Sequence, residues 1–132
     1  MKEKRSDIRI PIVNDRLSVA WETSSGDLKL KDLSNKGMFF ETNGELPTPK
    51  EWCRVDVILP GDLGKLALDG VVSRVHWRDS RKQSKVRGFA VILGDMSQNT
   101  QKIYEAYLVY MRNSQIIKVS KRIIEEFFGD IK

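Results

Sequence analysis

Two short constellations hold the side chains best suited to gripping a ligand. The first is Arg5-Ser6-Asp7-Ile8-Arg9, two arginines four positions apart in a basic stretch. A guanidinium presents five donors in a planar fork, which can pair with two oxygens of a phosphate or with the O6/N7 edge of a guanine. It can also stack its plane on a base. The second is Asp32-Leu33-Ser34-Asn35-Lys36-Gly37, a carboxylate, a hydroxyl and a glycine within six residues. Ionised Asp32 only accepts hydrogen bonds, which suits the N1–H and N2–H₂ donors of a guanine. Ser34 can donate or accept, and Gly37 can take a positive φ and let a ligand come close to the backbone. Each constellation has an ordinary reading as well. Paired arginines recur by chance in basic arms, and Asp-x-Ser-x-x-Gly is a common way to tie down a β-turn.

Residues suited to catalysis are few. The chain has one histidine, His76, and one cysteine, Cys53. Both fall in strand-like patterns, and Cys53 shares the apolar phase, as a small structural hydrophobe would. No set of ligands has the spacing of a zinc site. Neither GxxxxGK[ST] nor GxGxxG occurs. The pair Glu125-Glu126 reads as the wet side of an amphipathic helix. The expectation is therefore a binding protein with no catalytic residues and no metal, not an enzyme.

The elements that must carry the two constellations follow from periodicity. With 132 residues, 40% hydrophobic and 31% charged, the chain suits a single globular domain. Residues 1–12 read as a basic arm. From Arg16 the pattern has period two, with Leu17, Val19 and Trp21 on one face. Ser24-Ser25-Gly26-Asp27 signals a turn, and strands are expected at Leu28–Leu33 and Met38–Glu41. Asn43-Gly44, Pro47 and Pro49 mark a loop. Cys53, Val55, Val57 and Leu59 make a further strand. Leu66–Trp77 is a long one with a bulge or bend near Gly70, and Val86–Leu93 follows after a charged hairpin loop.

The last third changes to helical period. Ile103, Tyr104, Tyr107, Leu108 and Met111 share a face, and Ser97 or Asn99 can cap that helix. A break is expected at Arg112-Asn113-Ser114. A second helix then carries Ile117, Ile124, Phe127 and Phe128 on one side, which must cover either the barrel, a second subunit or an effector. The domain layout is an arm at 1–12, a barrel with its first helix at 13–112, and an additional helix at 113–132. The fold class is mainly β: about six antiparallel strands closing a small barrel, then one or two helices.

Net charge is +5, concentrated at Lys2, Lys4, Arg5 and Arg9 and again between Arg74 and Arg87. A basic balance favours anionic partners. No run approaches the roughly 20 apolar residues of a membrane span. The charged N-terminus lacks the apolar stretch of a secretory signal, so a cytoplasmic location is expected. A single cysteine agrees with a reducing compartment.

Taken in order, Arg5/Arg9 and then Asp32/Ser34/Gly37 resemble the RxxxR and [D/N]xSxxG signature of the PilZ family. Met38-Phe39-Phe40, Val71-Val72-x-Arg74-Val75 and Gly88-Phe89-Ala90-Val91 look like strands of that family's barrel, and the likeness covers roughly residues 4–112. The resemblance implies a bacterial receptor with a six-stranded barrel that binds the second messenger cyclic di-GMP on its outer surface. By that resemblance Arg5 and Arg9 contact guanine and phosphate, Asp32 and Ser34 hold a guanine edge, and Gly37 shapes the turn beneath. Binding would order the arm and change contacts with a protein effector. Lys4, just before the first motif, can hold a phosphate as a point charge. Arg74, Trp77 and Arg78 are secondary candidates, with Trp77 able to pack on a guanine. The alternative within the family is a protein-interaction module that binds no nucleotide. A nucleic-acid-binding barrel would need a row of aromatics on one exposed strand face, and no such row stands out.

Overall fold

The computed structural model describes residues 9–79 and 85–128, giving backbone alone at 13–14, 76–79, 85–86 and 127–128. Six strands, β1 (Ile10–Trp21), β2 (Ser24–Leu33), β3 (Gly37–Glu41), β4 (Trp52–Ile58), β5 (Lys65–Asp79) and β6 (Lys85–Leu93), precede one helix, α1 (Gln98–Phe128). The strands close into a barrel in the order β1-β2-β3-β6-β5-β4, with every pairing antiparallel. Closure gives each strand a neighbour on either side over at least part of its length.

Alternation drives the closure. In β4, Cys53, Val55 and Val57 point inward and are fully buried, while Trp52, Arg54 and Ile58 face out. Leu17, Val19 and Trp21 of β1 and Phe89 and Val91 of β6 fill the same interior. Phe89 centres it, edge-on to Trp21 at 5.3 Å and tilted against Phe40 at 5.7 Å between ring centroids. Each such fully buried aromatic stabilises the fold by about 1.5–3 kcal/mol through apolar burial.

Four local features differ from the sequence expectation. Strand β1 begins at Ile10, well before the alternation at Arg16, so the last residues assigned to the arm belong to the barrel. Ile10 and Ile12 are core residues, but the ladder is irregular between Pro11 and Asp15, which hides their period. Pro11 is tolerated because β1 pairs with β4 only from Ser18 to Trp21, leaving the earlier stretch paired on one side. Ser24-Ser25-Gly26-Asp27 lies within β2, and the chain turns instead at Glu22-Thr23. The backbone N–H of Glu22 donates to the Glu51 carboxylate at 2.9 Å. The β5 bulge falls between Val72 and Arg74, beyond Gly70.

The fourth difference is the helix, which is single. It runs unbroken through Arg112-Asn113-Ser114 for 31 residues, about 46 Å at 1.5 Å per residue. Ser97 caps it: the Thr100 N–H donates to Ser97 Oγ at 3.1 Å and the Gln101 N–H to Ser97 O at 2.8 Å. Asn and Ser are only weakly unfavourable in a helix interior, and tertiary contacts outweigh them here. Tyr104, Tyr107 and Met111 are buried against the barrel. Beyond the expected break, Gln115 Nε2 and Lys118 Nζ donate to Asp15 Oδ2 of β1 at 3.1 and 2.9 Å. Ile117 and Ile124 do not cover the barrel: they are 66% and 56% exposed.

Candidate functional site

The β2–β3 turn, Ser34 to Gly37, is built around one hydroxyl. Ser34 Oγ accepts from the N–H groups of Lys36 and Gly37 at 3.3 and 3.2 Å, and lies 3.4 Å from the Gly37 carbonyl to which it donates. The Ser34 N–H donates to the same carbonyl at 2.9 Å. Ser34 is buried, so its hydroxyl serves the turn's own backbone. Two outside bonds fix the turn to the rest of the fold. Tyr104 Oη donates to the Ser34 carbonyl at 2.7 Å, and the Leu93 N–H donates to the Lys36 carbonyl at 2.9 Å. Gly37 is required for a reason other than a left-handed backbone: the described glycines with positive φ are Gly61 and Gly64. A Cβ on Gly37 would run into the Val91 carbonyl oxygen. Its place in the motif is a close approach of β3 to β6.

Asp32 precedes this turn and stands on the outer wall. A register irregularity between Leu30 and Asp32 lets Leu30 and Leu33 both point inward while Asp32 sits opposite Phe39. One cross-barrel row then runs Pro11, Asp32, Phe39, Ala90, Arg74. The β5 irregularity between Val72 and Arg74 keeps Val72 in the core and Arg74 outside. Arg9, two positions before Pro11, brings a second guanidinium to the near end of the row.

Burial raises the Asp32 carboxyl above its ordinary value, and the charges of Arg9 and Arg74, acting in the other direction, do not cancel the effect. The site is thus a half-buried carboxylate within the fields of two arginines. It can accept from a donor edge while the arginines face anionic oxygens or stack on a flat ring. A second outward row lies two residues away on β3 and β6, three away on β5 across its irregularity, and continues onto β4: Gly37, Ile92, Val71, Trp52. Its three side chains are exposed, an apolar strip beside the carboxylate.

Of the residues expected to bind, the structure brings Arg9, Asp32 and Arg74 together and builds the adjoining turn from Ser34 and Gly37. Arg5 and Lys4 lie outside the described residues. Trp77 and Arg78 sit further along β5, paired with Arg87 and Val86, and their side chains are not among those described. Phe39, Ala90, Val71 and Ile92 were not singled out for the site. Their only sequence signal is an apolar residue in the outward phase of a strand, and its meaning depends on cross-strand register.

Nothing described adds reactive chemistry. Burial, reinforced by Glu51 and Asp69, pushes the Cys53 thiol up to about 11, leaving it protonated at neutral pH. Among the described residues no group of three His, Cys, Asp or Glu could hold a metal ion, and no helix is long and apolar enough to cross a membrane.

No family model and no curated protein matches the chain by sequence. Solved structures do match. The PilZ domain of YcgR from Escherichia coli, solved with c-di-GMP, superposes with a TM-score of 0.72 at 15% identity, over 90% of this chain and 99% of that one. The Bacillus subtilis inhibitor of motility MotI/DgrA gives 0.61 at 19% identity, and K. pneumonia MrkH in complex with c-di-GMP gives 0.67 at 13%. These cover 89% and 92% of this chain, which spans about half the length of each, 53% and 56%. The barrel order, the terminal helix and these superpositions agree: the chain has the PilZ-domain fold.

Proposed function

We propose that this barrel is a receptor for cyclic di-GMP, binding the dinucleotide on its outer wall without turning it over. The observation that carries the reading is Asp32 set between Arg9 and Arg74, beside the Ser34–Gly37 turn, in a fold whose solved examples include a PilZ domain with c-di-GMP. Asp32 accepts from the N1–H and N2–H₂ of one guanine. Arg9 and Arg74 take phosphate oxygens or a guanine Hoogsteen edge. Ser34 and Gly37 act through the turn they shape, which holds Asp32 at its height above the wall. Arg5 and Lys4 close over the ligand as the N-terminal arm folds down, an ordering whose entropic cost the charged contacts offset. Trp77 and Arg78 extend the site along β5. The reading makes the protein a cytoplasmic bacterial effector, with the ordered arm and the turn presenting a changed surface to a protein partner.

Amide chemical shifts test the location. Titration of the ¹⁵N-labelled chain with cyclic di-GMP should move Arg9, Asp32, Lys36, Gly37, Arg74 and Ala90 while leaving the Pro60–Gly64 turn unmoved. Shifts confined to any other face would overturn the assignment.

A further inference from the structure

We propose that α1 joins two copies of this chain in an antiparallel helix pair, through the face it turns away from the barrel. Tyr104, Tyr107, Met111, Gln115 and Lys118 lie along the barrel side of the helix. At 3.6 residues per turn, Val109, Ile116, Ile117, Val119, Ile123 and Ile124 fall within an arc of about 160° on the opposite side. They are 46–66% exposed, and residues 119–126 touch solvent throughout. An amphipathic helix that spends its apolar stripe on water gains little from this geometry, because a helix alone is marginal and is stabilised mainly by packing of that stripe.

Area and charge order select the occupant. Six aliphatic residues, 46–66% exposed, line one face over about four helical turns, a span on the scale of the roughly 800 Å² per partner that a stable interface buries. A two-fold axis beside Val119 and Ser120 would set Ile116 over Ile123 of the second copy, aliphatic on aliphatic at both ends. Of the charged residues between Val109 and Glu126, Arg112 and Glu126 border the apolar face on the same flank, whereas Lys118 is turned to the barrel and Asp15. In a parallel pair Arg112 and Glu126 would lie about 21 Å apart along the axis and could not meet. In the antiparallel pair the same flank of each helix meets itself, and Arg112 comes beside Glu126 of the second copy. Opposite charges so placed fix orientation, where like charges would oppose it. The interface is isologous and closes as a dimer. The apolar face of α1 and the Arg9–Asp32–Arg74 row share no residue, so the proposal does not rest on the ligand reading.

Sedimentation equilibrium of the full chain tests this. Wild type should behave as a dimer at tens of micromolar. Ile116→Glu with Ile123→Glu should give a monomer with unchanged far-ultraviolet circular dichroism, since both residues are exposed. Arg112→Glu should weaken the dimer, and adding Glu126→Arg should restore it, which a parallel pair would not show. A wild-type monomer, or a dimer indifferent to the Ile116/Ile123 substitutions, would overturn the proposal. A charge swap that fails to restore association would overturn the antiparallel arrangement.

Discussion

The hydroxyl of Tyr104 donates to the carbonyl of Ser34 at 2.7 Å, joining the terminal helix to the turn of the candidate ligand site across 70 residues of sequence. Tyr104 is fully buried, and burial first, then the neighbouring Tyr107, pushes its hydroxyl far above the ordinary tyrosine range. It therefore stays a donor at any working pH. A rigid bond at this point couples two things the proposed function needs: the height of Asp32 on the wall and the seat of α1 on the barrel end.

Tyr104→Phe should keep the packing and lose the bond, leaving the Ser34 carbonyl unpaired. Removing one partner of a buried hydrogen bond costs about 1–3 kcal/mol, so the urea midpoint should fall without a change in m-value. On addition of cyclic di-GMP, the amide shifts expected at Gly37 and, through this bond, in residues 101–108 of the wild type should be lost from 101–108 in the variant. Undiminished shifts there would show that the helix senses the ligand by another route.

Gly37→Ala tests the close approach of β3 to β6. Its methyl would meet backbone that cannot swing aside, since Val91 is held in the ladder. Overpacking of this kind costs about 1–3 kcal/mol. Gly26→Ala, with open space around the added carbon, is the control and should be close to neutral. Equal stabilities for the two variants in urea would contradict the account of the motif glycine.

Acidification should weaken the ligand through Asp32. Burial raises its carboxyl in the free protein. A guanine edge donating to the carboxylate favours the ionised form, so binding lowers that value and releases a proton in the window between the two. Affinity should therefore be constant above the raised value and fall as pH drops through it, at a higher pH than an ordinary aspartate would give. In the free protein the sign is opposite: protonated Asp32 is the better tolerated form, so its contribution to stability is fullest at low pH and is lost as pH rises through the raised value. Asp32→Asn should flatten the pH profile of binding. A profile unchanged by that substitution would assign the titration elsewhere.

Much of this arrangement was legible in the sequence, and the exceptions share a cause. Leu17/Val19/Trp21 and Cys53/Val55/Val57 announced their strands because the ladder is regular there. Ile10 and Ile12 did not, because Pro11 and the irregularity before Asp15 break the period that would have marked them. Arg9 and Asp32 were legible from their chemistry, and the PilZ resemblance ordered them. Arg74 stood only among secondary candidates, since reaching Asp32 depends on a four-strand register through Phe39 and Ala90 that sequence spacing does not contain. The exposed strip of Ile92, Val71 and Trp52 was hidden for the same reason. Ser34 was expected to hold a guanine edge and Gly37 to shape the turn beneath it; in the fold both satisfy backbone demands of that turn. The expected break at Arg112-Asn113-Ser114 reflected local propensity alone, while Gln115 and Lys118 bonded to Asp15 carry the helix past it.

Arg9→Ala and Arg74→Ala should each weaken cyclic di-GMP by on the order of 2 kcal/mol, the scale of a lost charge-assisted hydrogen bond. Both are exposed, so the thermal midpoint of the free protein should move little. Arg74→Lys should recover only part of the loss, because an ammonium cannot fork or stack. Full recovery would mean that Arg74 supplies charge and no geometry.

Calorimetric titration of the full chain with cyclic di-GMP, with GMP and a short single-stranded RNA as controls, tests the central claim most directly. The account predicts saturable binding at micromolar or tighter concentration for the cyclic dinucleotide alone, abolished in the Arg9→Ala/Arg74→Ala double variant. No heat with the wild-type chain, or equal binding of the double variant, would contradict a receptor site at Asp32.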